Sequence, residues 1–286
     1  MKLKEYLLTA PSFIWLILFF VIPSVIIFAY AFKPYDIYGA VVSGWTLNTI
    51  WELLDLNLLV LLWRTFWLSA LATIICLLVA LPMGYQLMTT PKKWRNLLLM
   101  MIIIPFWSSF LIRIFAWKAL LHPEGLLHQL LEFMGIIAPE TTLLYNSLTV
   151  LFVMVYNFLP FAVLPIFAAA SKFDFHLLEA AIDLGATQLQ AFIKIFIPGI
   201  RRGLTTAAIM VFIPAVGTYV IPDLVGGTNS EMLGNKIAQK TFVERNLPQA
   251  SALSAMLIAA IFIPMWLINR YYEKSKKFEL ESRNRE

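Results

Sequence analysis

The stretch EAAIDLGATQLQAFIKIFIP, residues 179–198, is a polar and amphipathic segment in a chain that is otherwise mostly apolar. Asp174 is placed to cap a first short helix, Gly185 to allow a sharp turn, and Thr187 to cap a second helix. Pro198 is expected to close the second helix because proline lacks a backbone N–H. The apolar sides of the two helices are expected to carry Leu177, Leu178, Ala181 and Leu184, then Leu189, Phe192, Ile193 and Phe196. The pattern predicts two helices joined at a glycine elbow, which is the form of a docking element.

The composition around this stretch is that of an integral membrane protein. Of the 286 residues, 60% are hydrophobic and only 14% are charged, whereas soluble domains carry about 25% charged residues. The basic residues cluster near apolar runs, which indicates membrane topology rather than nucleic-acid binding. Cys76 is the single cysteine and lies inside an apolar run, so we expect it to be a small buried hydrophobe.

The apolar runs predict an all-α integral membrane protein with six transmembrane helices in a single domain, residues 1–286. A helix needs about 20 apolar residues to cross a bilayer. The expected spans are residues 12–32, 66–88, 97–115 (interrupted by Pro105), 147–168, 204–221 and 250–271. A signal peptide is the alternative for the first run, but that run is longer than an ordinary signal core. Residues 222–249 are expected to form a long exposed loop, and the charged tail at 273–286 to be solvated.

The placement of basic residues predicts the orientation. With six spans, 15 of the 22 Lys and Arg residues lie on the side that holds the two termini, and seven lie on the other side. Cytoplasmic segments carry the excess of Lys and Arg. We therefore expect both termini and the loop at residues 171–202 to be cytoplasmic.

Several kinds of chemistry are missing from the sequence. No Walker A pattern occurs, so ATP binding by that route is not expected. His122 and His128 lack partners at metal spacing and are interpreted as solvated loop histidines. The inner halves of the predicted spans carry no Asp, Glu, Lys or Arg, which disfavours an ion-coupled carrier. Neither a catalytic residue, a metal ligand nor a cofactor of this chain is predicted.

The loop at residues 171–202 resembles the cytoplasmic loop of the permease subunits of bacterial ABC importers. The matching positions are Glu179, Ala180, Ala181, Gly185, Ile195 and Pro198. Three stretches are also similar to spermidine/putrescine importer permeases: PFWSSFLIRIFAW (105–117), LLEAAIDLGAT (177–187) and PDLVGGTNSEMLGN (222–235). The resemblance implies a type I importer fold in the bacterial inner membrane. It also implies that the six matching residues form a coupling loop that contacts an ATPase subunit.

The same resemblance implies partners and a function without enzymatic activity of this chain. The implied partners are a second homologous permease, a dimer of ATPase subunits that binds ATP and Mg, a periplasmic polyamine-binding protein and membrane lipid. Nucleic acid is not among them. The implied function is polyamine import, in which this chain forms half of the translocation pathway. An ABC permease for another small substrate and an ion-coupled secondary carrier of organic cations remain the alternatives.

A route for a polycation should present carboxylates and aromatic faces, because cation–π contacts guide a cation. The candidates are Phe106, Trp107, Tyr219 and Asp223, although Trp107 also suits an aromatic belt at the membrane interface. Glu231 is expected to contact the binding protein instead. The candidates for bends that allow movement are Pro160, Pro165, Pro214 and Gly217. The spacing of Gly199 and Gly203 matches a helix-packing motif, but the intervening arginines give it little weight.

Overall fold

The computed structural model describes residues 2–262, with side chains described from residue 9 onward. In this part of the chain, the helices are joined by turns and coil, with an isolated bridge between Tyr35 and Val41. The helices of the first half are α1 (Lys2–Leu16), α2 (Ile22–Tyr30), α3 (Asn48–Trp51), α4 (Leu56–Thr89), α5 (Lys92–Trp107), α6 (Phe110–Leu121) and α7 (Leu126–Phe133). Those of the second half are α8 (Ser147–Ala170), α9 (His176–Asp183), α10 (Gln188–Ala191), α11 (Ile197–Gly199), α12 (Arg201–Val216), α13 (Val220–Val225), α14 (Leu233–Ala238) and α15 (Leu247–Phe262). Single π-helical turns at Ile17–Val21, Phe192–Phe196 and Gln239–Val243 and a 3₁₀ turn at Thr228–Ser230 complete the helical structure.

Three of these helical segments are long and apolar enough to cross a membrane: Thr9–Tyr30, Leu56–Thr89 and Ser147–Ala170. Two bent pairs, Lys92–Trp107 with Phe110–Phe133 and Gln188–Gly199 with Arg201–Val216, raise the number to five if each pair is one span. The helical, membrane-spanning class is therefore confirmed, while the number six stays a prediction. The end of the predicted sixth span, residues 263–271, and the charged tail at 273–286 lie outside the described residues.

The chain divides into two compact units, one of them made of Met1–Leu62 with Lys236–Glu286 and the other of Trp63–Asn235. In the described part of the first unit, the Tyr35 hydroxyl donates to a carboxylate oxygen of Glu52 and accepts from the Gln249 side-chain amide at 2.7 Å. Gly39 approaches the backbone of Asn246 so closely that a Cβ there would lie 3.1 Å from its Cα. These contacts tie residues 35–52 to the start of α15.

The core of the second unit is built around the pair α8 and α12. Gly203, Ala207, Val211 and Ala215 follow each other at intervals of four along α12 and are all buried. A Cβ added at Gly203 would lie only 2.3 Å from the Cβ of Ala169 in α8. Small residues allow helix backbones in membranes to approach this closely. Gly203 packs inward on α8, whereas Gly199 is exposed at the end of α11, across a 74° bend from α12, so the two glycines do not form one helix-packing motif; Arg201 and Arg202 are exposed as well.

Helix α4 reaches this core through another row of small residues. Ala72, Cys76 and Ala80 are fully buried, and a Cβ at Gly84 would lie 2.6 Å from Cγ2 of Ile166 in α8. The Cys76 thiol donates to the carbonyl of Val155 in α8 at 3.7 Å. The prediction that Cys76 is a buried small hydrophobe is confirmed.

Two predicted spans contain helix breaks whose positions the apolar pattern did not predict. Pro105 lies inside α5, and the interruption comes three residues later, at Ser108 and Ser109, where the axis bends by 92°. The Ser108 hydroxyl donates to the carbonyl of Pro105 at 2.6 Å and so satisfies one of the free acceptors at the helix end. In the predicted fifth span, α12 ends at Val216 and the chain is non-helical until α13 begins at Val220.

Residues 222–235, called the glycine loop below, contradict the prediction of a long exposed loop. They contain α13 and a 3₁₀ turn, and Pro222, Val225, Ser230, Met232 and Leu233 are buried. The prediction failed because it treated glycine and polar residues as signs of exposure. Here the glycines instead let the backbone approach neighbouring segments.

Candidate functional site

The coupling loop begins directly after α8. Helix α9 has Phe175 at its N-cap position, and the Asp174 carboxylate accepts the backbone N–H of His176 at 3.1 Å. Asp174 therefore satisfies a first-turn amide, as the sequence predicts for a capping residue, although it stands one position ahead of the N-cap. The carboxylate also adds negative charge at the positive end of the helix.

Gly185 forms the elbow that the sequence predicts. Its φ is +91°, a conformation that favours glycine because a Cβ would crowd the following carbonyl. Its N–H bonds to the carbonyl of Ile182 at 2.9 Å, and the Ala186 N–H bonds to the carbonyl of Ala181 at 3.0 Å. This pair of hydrogen bonds is the Schellman motif, which terminates a helix by satisfying its last carbonyls.

The second helix of the loop starts at a capping box. The Thr187 hydroxyl accepts the Gln190 N–H at 3.2 Å, and the Gln190 side chain accepts the Thr187 N–H at 3.0 Å, which confirms Thr187 as the cap. The helical segment Gln188–Gly199 then contains the π-helical turn at Phe192–Phe196. Pro198 lies inside its last turn: the segment ends one residue later, at Gly199, and α12 leaves at a 74° bend.

An aromatic cluster holds the coupling loop against α4. The ring of Tyr85 lies 5.4 Å from that of Phe192 and 5.3 Å from that of Phe196, both edge-on. Phe173 and Phe175 complete the cluster, with rings 5.3 Å and 6.1 Å from Phe196. Edge-to-face pairs at these distances add about 0.5–1.5 kcal/mol each beyond their buried area. Tyr85, Phe173 and Phe175 were not predicted from the sequence, although Phe173 and Phe175 flank the capping aspartate.

The outer side of the same loop is apolar and exposed. We call its exposed residues the coupling surface: Leu177, Ala180, Leu184, Leu189 and Ile193. Leu184 is 89% exposed and Leu189 is 67% exposed. The sequence predicted one apolar side for each helix, yet only Leu178, Ala181, Phe192 and Phe196 turn toward the core. Clustered apolar residues left in the open mark a surface that another molecule covers.

The six residues that match the importer motif divide between these two sides. Ala181 and Ile195 pack against the core, whereas Glu179, Ala180, Gly185 and Pro198 are exposed. A Glu179 carboxylate oxygen lies 3.1 Å from Nδ1 of His176, one turn earlier. The hydrogen bond to Glu179, together with the charges of Glu179 and Asp174, raises the pKa of His176. No role of His176 was predicted from the sequence.

The predicted route residues lie at the two helix breaks. Phe106 and Trp107 end α5, and Trp107 is 87% exposed. The Phe106 ring packs edge-on against Phe161 of α8 at 5.4 Å, and the guanidinium of Arg113 lies over it at 4.5 Å from the ring centre. No hydrogen bond, ion pair or ring contact among residues 9–262 joins Phe106 or Trp107 to Tyr219 or Asp223.

Asp223 lies at the start of the glycine loop, and Tyr219 lies just before the loop. Tyr219 occupies the N-cap position of α13, and its carbonyl accepts the side-chain amide of Asn235 at 2.9 Å and the backbone N–H of Asp223 at 3.0 Å. Both side chains are exposed. Helix α13 packs against α6 and α8, so the exposed Asp223 carboxylate sits on an element fixed to the core.

Hydrogen bonds tie the rest of the glycine loop to two neighbouring segments, α4 and the chain around Tyr145. The Leu233 N–H donates to the Thr65 hydroxyl at 2.8 Å, and Arg64 donates to the carbonyl of Thr228 at 3.2 Å, so both link the loop to α4. The Tyr145 N–H donates to the carbonyl of Val225 at 2.9 Å. A Cβ at Gly227 would lie 2.4 Å from the Tyr145 carbonyl oxygen. The glycine loop is therefore packed and hydrogen-bonded within the chain.

His128 corrects a further prediction. It is 1% exposed rather than solvated, and its Nε2 lies 2.8 Å from the carbonyl oxygen of Thr141. The helix α7 that carries it presents Leu126, Leu130 and Phe133 to the outside and turns the histidine inward. Within the described residues, no group of three or more His, Cys, Asp or Glu side chains is arranged to hold a metal ion.

Known proteins match this chain over most of its length. Residues 77–277 match the family described as "Binding-protein-dependent transport system inner membrane component". The chain is 34% identical to the spermidine/putrescine transport system permease protein PotB of Haemophilus influenzae over 276 residues, 95% of this chain and 96% of that one. It is also 34% identical to PotB of Escherichia coli, over 93% of this chain and 98% of that one.

A solved structure has the same fold at lower sequence identity. A chain of a bacterial ABC transporter involved in the import of the acidic polysaccharide alginate superposes with a TM-score of 0.73 at 15% identity, covering 95% of this chain and 96% of that chain. The similarity at this identity concerns the fold alone. The predicted resemblance to ABC importer permeases is confirmed by the family match and by the relatives.

Proposed function

The chain belongs to the family of binding-protein-dependent transport system inner membrane components, and from this premise we propose that it is a permease subunit of an ATP-driven importer of polyamines. As a member of this family it is a multi-pass protein of the inner membrane. Polyamine as the substrate is supported by the relatives named spermidine/putrescine permeases. Without a Walker A pattern in its sequence, the chain would leave ATP and Mg to a partner ATPase.

The observation that carries this proposal is the coupling surface. Leu177, Ala180 and Leu184 lie at i, i+3 and i+7 and so share one side of α9 and its end, and all three are exposed. Across the elbow, Leu189 and Ile193 are exposed at i and i+4. In the proposed complex an ATPase subunit covers these residues, and Glu179 offers it a carboxylate.

The placement of basic residues supports a cytoplasmic position for this surface. Six spans with both termini in the cytoplasm put 15 of the 22 Lys and Arg residues on the same side as the coupling loop. The single domain and the sixth span are parts of the same proposal. The glycine loop then faces the periplasm, where Glu231, which is exposed, would contact a polyamine-binding protein.

The contacts of the coupling loop would transmit a displacement of the loop to the helices of the core. Its aromatic cluster contacts Tyr85 of α4, and Gly203 just beyond it packs directly on Ala169 of α8. A push on the loop would therefore move α4, α8 and α12 together, since packed helices transmit displacement instead of absorbing it. Alternating access needs two arrangements of such elements, with a second permease completing the pathway. Pro160, Pro165, Pro214 and Gly217 remain the candidates for bends.

Reconstitution of the complete importer tests the proposal. The chain would be co-expressed with an ATPase, a second permease and a polyamine-binding protein from the same organism, and incorporated into proteoliposomes. We expect spermidine or putrescine uptake that requires ATP and survives collapse of the ion gradients. Uptake that survives ATP depletion but stops when ion gradients collapse would instead identify a secondary carrier. ATP-dependent uptake of another small solute, with no polyamine uptake, would retain the importer but overturn its substrate.

A further inference from the structure

A guanidinium already lies on the aromatic face that a polyamine route would offer. Cζ of Arg113 is 4.5 Å from the centre of the Phe106 ring. The two residues meet because the chain turns by 92° at Ser108 and Ser109, which places the first turn of α6 beside the end of α5. Phe161 of α8 packs edge-on against the same ring at 5.4 Å. The ring is thereby fixed, with a cation over it.

The charge of Arg113 is otherwise weakly compensated within the chain. Its Nε and Nη1 are buried, and neither has a hydrogen-bond partner among the described residues. In that part of the chain, Asp and Glu form ion pairs with His128, His176 and Lys240, none of them with Arg113. Buried charged donors without acceptors are costly. The Phe106 face is thus the main observed interaction of this charge, so a competing cation can displace it without breaking an ion pair.

We propose, on the basis of the proposed function, that Arg113 is a specificity-determining residue. Its guanidinium occupies the face of the Phe106 ring and so competes with the substrate's ammonium groups for that face. A protonated amine of the substrate needs the same face, and two like charges cannot share it. A monoamine that replaces the guanidinium exchanges one cation for another and gains little. A polyamine carries further ammonium groups that hold other parts of the route while Arg113 is displaced. Arg113 therefore favours polycations over single amines.

The test measures binding of tritiated spermidine to the complete ATPase–permease complex without its binding protein, with n-butylamine as the competing monoamine. Arg113→Gln frees the ring, and we expect it to tighten spermidine binding about three- to tenfold and to make butylamine an effective competitor. Arg113→Lys keeps a cation and should stay within about twofold of the wild type. Lys118→Gln removes a charge from the same helix α6 and should leave both ligands unaffected.

A second background separates competition for the ring from general charge repulsion. In Phe106→Leu the face is gone, so adding Arg113→Gln should bring no further gain in spermidine binding. A gain of the same size in that background, or weaker or unchanged binding in Arg113→Gln alone, would overturn the inference. If Arg113→Gln does not assemble, Arg113→Met, which keeps an unbranched apolar stem, is measured under the same criteria. A wild-type complex that imports polyamine, combined with such a negative result, would overturn this inference alone, whereas a wild-type complex that imports none would overturn the proposed function as well.

Discussion

The coupling loop and the glycine loop both connect helices, and both contain glycines and buried apolar side chains. The glycine loop directs its polar groups into the chain: Leu233, Thr228 and Val225 all take part in hydrogen bonds with residues outside the loop. The coupling loop satisfies its helix ends by itself, through a Schellman motif and a capping box. It then leaves Leu184 and Leu189 in the open.

This difference indicates what each loop requires to be complete. The glycine loop is packed and hydrogen-bonded within the chain, so substitutions in it should first affect the stability of the chain. The coupling loop is folded but uncovered, so changes on its surface should first affect association with another protein. Clusters of exposed apolar residues on well-ordered segments are typical of interaction sites.

Gly227→Ala should have the largest effect, and it should act on stability. A Cβ at this position would lie 2.4 Å from the carbonyl oxygen of Tyr145, and backbone cannot move aside as easily as a flexible side chain. Overpacking of this kind costs about 3 kcal/mol, which should lower the thermal unfolding temperature of the purified chain in detergent. Gly217→Ala is the control, because its Cβ would meet only ordinary contacts at 3.7 Å. Equal unfolding temperatures for the two variants would contradict the view that the glycine loop is tightly packed.

Leu184→Asp should leave stability unchanged and weaken the association with the ATPase. The side chain is 89% exposed, so the substitution does not disturb the core, but it places a charge on the coupling surface. A central interface residue contributes about 2 kcal/mol, roughly 30-fold in affinity. Co-purification of the ATPase and ATP-dependent uptake both report the loss. Leu126→Asp, at a residue of α7 that is 73% exposed, is the control and should retain the ATPase; normal co-purification with Leu184→Asp would exclude Leu184 from the interface.

The sequence predicted much of the coupling loop because its signals are local. Gly185 and Thr187 take the elbow and cap positions expected of them, since turn and capping preferences depend on neighbouring residues. Phe192 and Phe196 turn inward because they pack against Tyr85, which is about 100 residues away in sequence. No periodicity within the loop identifies that partner. The cluster was therefore missed, and half of each predicted apolar side proved to be exposed.

The glycine loop shows the opposite limit. Its glycines and polar residues predict a flexible exposed segment when read locally. Leu233 is held by Thr65 and Gly227 packs on Tyr145, and both of these partners lie far away in the sequence. The break at Ser108 and Ser109 was misplaced for a related reason: a proline inside a membrane helix is tolerated when neighbouring groups satisfy the freed backbone.

Gly185→Leu should abolish transport while leaving the core almost unchanged. The space around the missing Cβ is open, with nothing within 4 Å, so the cost comes from the φ of +91°. A left-handed backbone costs a non-glycine residue about 1–2 kcal/mol, and relief of that strain would move the second helix of the loop. We expect uptake to be abolished while the chain still inserts in the membrane. Gly185→Asn should retain most of the uptake, because asparagine tolerates this conformation. Equal loss of uptake in both variants would show that transport requires the absence of a side chain at residue 185 and not the left-handed conformation.

Asp223→Asn should have a smaller effect, confined to transport. The carboxylate is exposed on α13 and only its backbone N–H bonds within the loop, so the amide should preserve the structure. Removing an exposed charge that attracts an ammonium group costs up to about 1 kcal/mol, or roughly fivefold in the half-saturating polyamine concentration. Glu140→Gln, another exposed carboxylate, is the control and should not change it. Unchanged transport kinetics in Asp223→Asn would remove this residue from the route.

The smallest effect should be a pH dependence of the coupling loop through His176 and Glu179. The hydrogen bond to Glu179 and the charges of Glu179 and Asp174 raise the pKa of His176 above its usual value of 6.5. The pair therefore contributes fully below about pH 6.5 and is lost as the pH rises through the raised value. Both side chains are exposed, 88% and 72%, so solvent screens the interaction and the change in ATPase association between pH 6 and pH 8.5 should stay within about twofold. Association should be stronger at pH 6 than at pH 8.5, and His176→Gln should flatten this dependence. An identical pH profile in that variant would show that another group titrates. Stronger association at high pH would contradict the sign expected for the pair.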